Sequence, residues 1–280
     1  MQQAKKAILC PRCKRIISGL ASQCPFCGMR NPGSKRKSSR IGRGFGQMDQ
    51  LIRLIIFVNI GMFLLSLILN MRSMGLSWNP LLALSPDDKS LVLLGATGTI
   101  PIDRYHRWWS LISANYLHGG LLHILFNMIA LRNLAPFVVN EYGANRMLII
   151  YTLGGTFGFW VSYMAGVPLT IGASAAICAL IGAALYYGKS RGGAYGQAVY
   201  RQVMGWVMGL FLFGIMIPGI NNWGHGGGIL GGIVLGYLLG YRERSADRFV
   251  HKFLAMGLGA LTAIVLAGAA LSGVYYRVMG

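Results

Sequence analysis

Five stretches of this chain run for 18 residues or more without a single Asp, Glu, Lys or Arg. They are Leu54–Met71 (18 residues), Trp108–Leu131 (24), Met147–Gly188 (42), Gln202–Tyr241 (40) and Phe253–Tyr276 (24). A membrane-crossing helix needs about 20 apolar residues, so each stretch is a candidate span. The two longest are twice that length, and each breaks near its middle at turn residues, AGVP (165–168) and IPGINN (217–222). Seven spans are expected. Composition agrees: 54% hydrophobic residues, 12% charged residues and a mean hydropathy of +0.53 exclude an ordinary soluble domain of 280 residues.

The basic residues set an orientation. With connections assigned alternately to the two sides, the tail up to Arg53 carries 12 Lys and Arg. The second-to-third, fourth-to-fifth and sixth-to-seventh connections add 2, 3 and 4, giving 21 on that side against 5 on the other. The excess marks the cytoplasmic face, which puts the N-terminus inside and the C-terminus outside. The net charge of +19 then serves orientation and attraction to anionic headgroups. Nucleic-acid binding is not expected, because no aromatic-interleaved basic face accompanies the charge. The first long apolar stretch follows Arg53, so no cleavable signal is expected and the first span would direct its own insertion.

Ahead of the spans, ILCPRCKRIISGLASQCPFCGMRNP holds Cys10, Cys13, Cys24 and Cys27 as two CxxC pairs ten residues apart. Two such turns bring four thiolates to one tetrahedral zinc ion, and four cysteines leave no open position for catalysis. A structural zinc ribbon over residues 1–32 is therefore expected; two disulfides are the alternative, disfavoured in a reducing cytoplasm. So short a segment has little core, and metal binding would supply much of its folding energy. Residues 33–50, basic and rich in Gly and Ser, read as a flexible linker. The connection from Arg72 to Arg107 carries an apolar patch, SLVLLGATGTI, too short to cross a bilayer. About 35 structureless residues would be unusual, so it is expected to fold against the protein near the interface.

Polar side chains inside a membrane are costly, so they mark where function is sought. They are His118, His123 and Asn127 in span two, Ser174 in span four and His225 in span six. These three spans run in the same direction, and Ser174 and His225 follow the turns at Pro168 and Pro218 by six and seven residues. Both would lie roughly 10 Å inside the outer boundary. His123 and Asn127, four apart, share one helix face. A hydroxyl nucleophile, an imidazole base and two donors for an oxyanion are what acyl transfer requires. Taken singly, each residue also has a packing or helix-tying explanation. Gly224, Gly228, Gly232 and Gly236 recur every four residues along span six, a face on which another helix backbone can lie close, and IGASAA in span four is equally small.

With these residues in view, residues 51–240 resemble the rhomboid family of intramembrane serine proteases. The family's His-x-x-x-Asn motif matches HILFN, its Gly-x-Ser motif matches Gly172 to Ser174, and its histidine followed by glycines matches His225, Gly228 and Gly232. EYGANR (141–146) resembles the family's cytoplasmic connection. The resemblance implies Ser174 as nucleophile, His225 as base, and His123 and Asn127 as oxyanion-stabilising side chains. Three positions depart from the pattern. Ala175 replaces a usual glycine, so its methyl is expected to bear on the helix seam or the oxyanion. Cys178 replaces an aromatic that stacks on the histidine, and Trp109 is followed by Ser110 rather than arginine.

The expectation is thus an all-α polytopic membrane protein: a zinc ribbon, a linker, a rhomboid-like six-helix bundle (51–240), then a charged connection and seventh transmembrane helix (241–280). The function implied is endoproteolysis of transmembrane substrates near the outer face by a Ser-His dyad, in a bacterial inner membrane. No acidic third member is available within a span. A rhomboid-like pseudoprotease that binds transmembrane helices is the main alternative. A transporter is disfavoured by the absence of an intramembrane carboxylate.

Overall fold

The structure, a computed structural model, describes residues 7–10, 13, 15–19, 21–30, 32, 38–69, 84–217, 219–245 and 247–279, without the side chains of 38–49 and 278. Pro218, part of the expected second turn, and residues 70–83 lie outside that description. Two units form, one ending at Gln50 and one beginning at Leu51.

In the first unit, β1 (Ala7–Leu9) pairs antiparallel with β2 (Ile16–Ser18) in the register Ile8 to Ile17. The strand pair delivers the first cysteine turn, closed by Cys10 N–H donating to Arg15 O at 2.8 Å. A second turn of the same build closes with Cys24 N–H on Met29 O at 2.8 Å, with Gly28 in the left-handed region at φ 70°. Cys10, Ile17 and Cys24 are its buried centre.

Helix α1 (Ser38–Leu69) starts thirteen residues ahead of the expected domain start at 51, so the segment read as a flexible linker is helical from Ser38 onward. Residues 33–37 lie outside the described part. Once the apolar span from Gln50 to Leu69 has formed helix, extending it outward makes one backbone bond per residue fixed, and no proline stops it.

The second unit continues with α2 (Asp88–Leu93), capped by Asp87, a π-helical turn (Ile100–Arg104) and α3 (Ser110–Ser113), which runs into a 3-10 turn (Ala114–Tyr116). Then come α4 (Leu121–Tyr142), α5 (Ala144–Met164), α6 (Ser174–Arg191), α7 (Gly193–Met216), α8 (Asn222–Leu239) and α9 (Phe249–Met279). The patch between spans one and two does fold inward: Leu91, Leu94, Ala96 and Ile102 are buried.

Span two is displaced from its expected place. The uncharged stretch began at Trp108, but the helix begins at Leu121 and continues past Arg132 to Tyr142. The glycine pair 119–120 breaks the chain before it, and Arg132 is exposed on the helix surface. His118 therefore precedes the span instead of lying within it.

Among the described residues five helices are long and apolar enough to cross a membrane unaided: the Gln50–Leu69 part of α1, α4, α5, α7 and the Phe249–Arg277 part of α9. The remaining two of the seven expected, α6 and α8, are 18 residues each and owe their place to packing. Helix α6 is the core: it packs chiefly on α8 and α5 and also on α7 and α4. The contact is backbone to backbone. A β-carbon at Gly182 would run into the Ile229 carbonyl oxygen, and one at Gly154 into the Ala179 methyl.

Arg146 fixes the other end. It is fully buried and donates from Nε to His251 Nδ1 (3.1 Å) and from Nη1 to Gly240 O (3.1 Å) and Ser245 O (3.2 Å). One guanidinium thereby joins the start of α5, the end of α8 and the start of α9.

Candidate active site

Ser174 opens α6, reached through Gly172 at φ 128°, a conformation L side chains rarely adopt. Gly172 N–H donates to Ala114 O at 2.8 Å, which holds the loop before the serine against the 3-10 turn. His225 is the fourth residue of α8, and its Nε2 lies 2.8 Å from Ser174 Oγ. Accepting the hydroxyl proton at Nε2 leaves the imidazole hydrogen on Nδ1, which is buried and has no partner among the described residues. Among the described residues no carboxylate completes a triad there.

His123 is the third residue of α4. Its Nδ1 accepts from Gly119 N–H at 3.3 Å, so Nε2 carries the proton. That Nε2 faces the serine loop: a β-carbon built on Gly172 would stand 2.8 Å from it and 3.5 Å from Ser174 Oγ. An N–H donor beside the Ser174 hydroxyl, with its tautomer fixed by a backbone amide, suits an oxyanion. Asn127, one turn on, is buried and uses one amide hydrogen on His123 O at 2.9 Å. It thus braces the turn that carries His123, with its second amide hydrogen still available.

Ser174, His225 and His123 all stand in the first turn of their helices. The charge-free stretch from Trp108 had His123 fifteen residues in, so the helix starts bring the set together more tightly than the charge-free stretches implied. His118 is fully buried with neither ring nitrogen bonded among the described residues, and its ring meets that of His123 edge-on, centroids 5.0 Å apart.

The departures from the family pattern find places. Ala175 is packed in a buried cluster with Ile102, Leu111, Ala114 and Phe159. Gly228 meets the Ala175 carbonyl oxygen. Cys178 is buried beside Gly228, which has no side chain to contest the space.

Several contributors were not singled out in the sequence. Gly154, Gly155 and Gly158 of α5 give α6 and α8 a second close surface, with Gly227 and Gly231 of α8 facing α5. Their i, i+4 spacing was the available signal. Asn221 caps α8 and bonds Ser162 Oγ (2.7 Å) and Thr170 Oγ1 (2.8 Å). An Asn just ahead of a helix is the sequence signature of such a cap.

In the ribbon, Cys10, Cys13, Cys24 and Cys27 place their sulfurs within 4.8 Å of one another. Cys10 to Cys27 is 3.7 Å and Cys13 to Cys24 is 3.6 Å, far beyond an S–S bond of about 2.05 Å. A tetrahedron of metal-sulfur bonds of about 2.3 Å has edges of about 3.8 Å, so the donor set fits a thiolate-bound metal. Burial pushes Cys13 up to about 12. At Cys24 burial acts upward too, but the Phe26 and Cys27 amides bonded to its sulfur outweigh it and bring the thiol down to about 6. The cluster resists carrying several negative charges unless a cation is present.

Residues 105–242 match the family model described as Rhomboid domain. The chain is 29% identical over 192 residues to Rhomboid protease GluP of Bacillus subtilis, covering 69% of this chain and 36% of that one. It is 29% identical over 152 residues to RHOMBOID-like protein 4 of Arabidopsis thaliana, covering 54% and 38%. To Inactive RHOMBOID-like protein 8 of the same plant it is 31% identical over 112 residues, covering 39% and 31%. The chain thus spans only 31 to 38% of the length of these relatives.

Proposed function

The chain carries a rhomboid domain, and on that premise we propose that it is an intramembrane serine endopeptidase acting on transmembrane proteins. The observation that carries this reading is the 2.8 Å approach of Ser174 Oγ to His225 Nε2. In the reaction the Ser174 oxygen attacks the scissile carbonyl carbon while its proton passes to His225 Nε2. The resulting oxyanion takes hydrogen bonds from His123 Nε2–H, the Ser174 backbone N–H and Asn127. His225 then returns the proton to the leaving amine, and water attacks the acyl-enzyme by the same route in reverse.

A helical substrate hides its carbonyls in hydrogen bonds, so the segment cut must unwind, which favours small or helix-breaking residues near the bond. The N-terminus lies in the cytoplasm and the cut falls near the outer face, as the 21 to 5 split of basic residues supports. A bacterial inner membrane suits this arrangement. The four-cysteine ribbon holds structural zinc through Cys10, Cys13, Cys24 and Cys27; bound, the ion neutralises the thiolates and ties the two turns together. Nucleic acid is not among the partners.

A pseudoprotease is favoured by one feature: the buried Nδ1 of His225 has no hydrogen-bond partner among the described residues to orient the ring from behind. Cleavage of a reporter transmembrane substrate separates the two. The unaltered chain should cut while Ser174→Ala and His225→Ala do not; three equally inert proteins would leave only helix binding.

A further inference from the structure

We infer that Asn221 is a positioning residue that holds the base and the nucleophile in register. This rests on the protease reading above. Its side chain uses three of its hydrogen-bonding positions, on three segments. Oδ1 accepts from Gly224 N–H at 2.9 Å, which caps α8. The two Nδ2 hydrogens go to Ser162 Oγ at 2.7 Å, near the end of α5, and to Thr170 Oγ1 at 2.8 Å, four residues before Ser174.

Both receivers are anchored. Ser162 is fully buried, and Thr170 exchanges two backbone hydrogen bonds with Thr97, at 3.1 and 2.7 Å. The Asn221 carbonyl also accepts from the His225 N–H at 3.1 Å, so the residue carrying the base is joined directly to the residue carrying the tie. The amide cannot be turned round without facing its NH2 group toward the Gly224 N–H.

A helix cap alone needs only Oδ1. The Nδ2 bonds do something different: they fix where the first turn of α8 stands relative to the loop that ends in Ser174. His225 is one turn from that tie. Loss of the tie lets the imidazole drift from the hydroxyl, and a misplacement of about 1 Å can cost roughly 100-fold in rate. Substrate binding elsewhere along the helices is untouched, so the loss falls on kcat and spares KM.

The test uses the full chain and a reporter transmembrane substrate, with kcat and KM measured separately. Asn221→Ser keeps a cap oxygen for Gly224 but cannot reach Ser162 and Thr170. Ser162→Ala/Thr170→Val removes the receivers and leaves the cap intact. Both are expected to lose roughly 10- to 100-fold in kcat with KM within about twofold, while still unfolding cooperatively. Either variant at the unaltered kcat, or a loss expressed in KM instead, overturns the inference and leaves the protease reading standing. An unaltered chain that cuts nothing overturns both.

Discussion

Gly232 on α8 lies against the backbone carbonyl of Ala179 on α6 so closely that no β-carbon fits between them. One turn nearer the helix start, Gly228 makes the same contact with the Ala175 carbonyl, and His225 is three residues before it. The separation of the two backbones thus sets the distance between imidazole and hydroxyl. Gly232→Val is expected to spread the helices, abolish reporter cleavage and cost about 1–3 kcal/mol in unfolding, as overpacking does. Gly226→Ala, whose added methyl meets open space, should cut at the unaltered rate.

Ala175→Gly tests where the Ala175 methyl points. Because it packs with Leu111, Ala114 and Phe159, removing it should lower stability by about 1 kcal/mol and leave kcat no higher. A faster enzyme would mean that the methyl crowds the oxyanion after all. Thermal unfolding beside steady-state cleavage measures both.

His123→Ala removes the N–H donor beside Ser174, the proposed nucleophile. The expected loss is about 10²–10³ in kcat with little change in KM, the usual scale for one oxyanion donor. Asn127→Ala should cost less, because part of its amide already serves the His123 carbonyl.

Arg146 gathers carbonyls from three segments at the far end of the bundle. Arg146→Ala takes the buried donor away from those carbonyls, at about 3 kcal/mol. The connection between α8 and α9 should then become the first site of limited proteolysis.

Metal in the ribbon requires thiolates, so binding weakens as protons compete. Burial raises Cys13 and Cys27, so a bound metal has to displace their protons, and metal retention should fall progressively as the pH is lowered. Cys10→Ser and Cys24→Ser should lower bound zinc, read by metal analysis of the purified full chain. Unchanged metal content in both would refute the site.

Much of this arrangement was legible in the residues. Apolar stretches located the helices, the CxxC pairs located the sulfur cluster, Ser174, His225 and His123 pointed to one another through the shared direction of their spans, and Gly172 entered through the family motif. Boundaries were less legible. Charge-free length is a poor ruler where a helix carries an exposed cation, as at Arg132, or where short turns precede it, as between Trp108 and Gly120. Position 175 was hard to read for another reason: a helix has several faces, and the sequence alone does not say that this residue packs in a cluster with Phe159. Asn221 was passed over because a cap is a local signal, whereas its bonds to Ser162 and Thr170 exist only in the folded chain.

The central claim is that His225 makes Ser174 nucleophilic. It is tested most directly by treating the full chain in membranes with a fluorophosphonate probe and mapping the modified residue by mass spectrometry. A covalent adduct on Ser174, lost in His225→Ala, is the predicted result. Equal labelling of Ser174 in both proteins, or none in either, would contradict it.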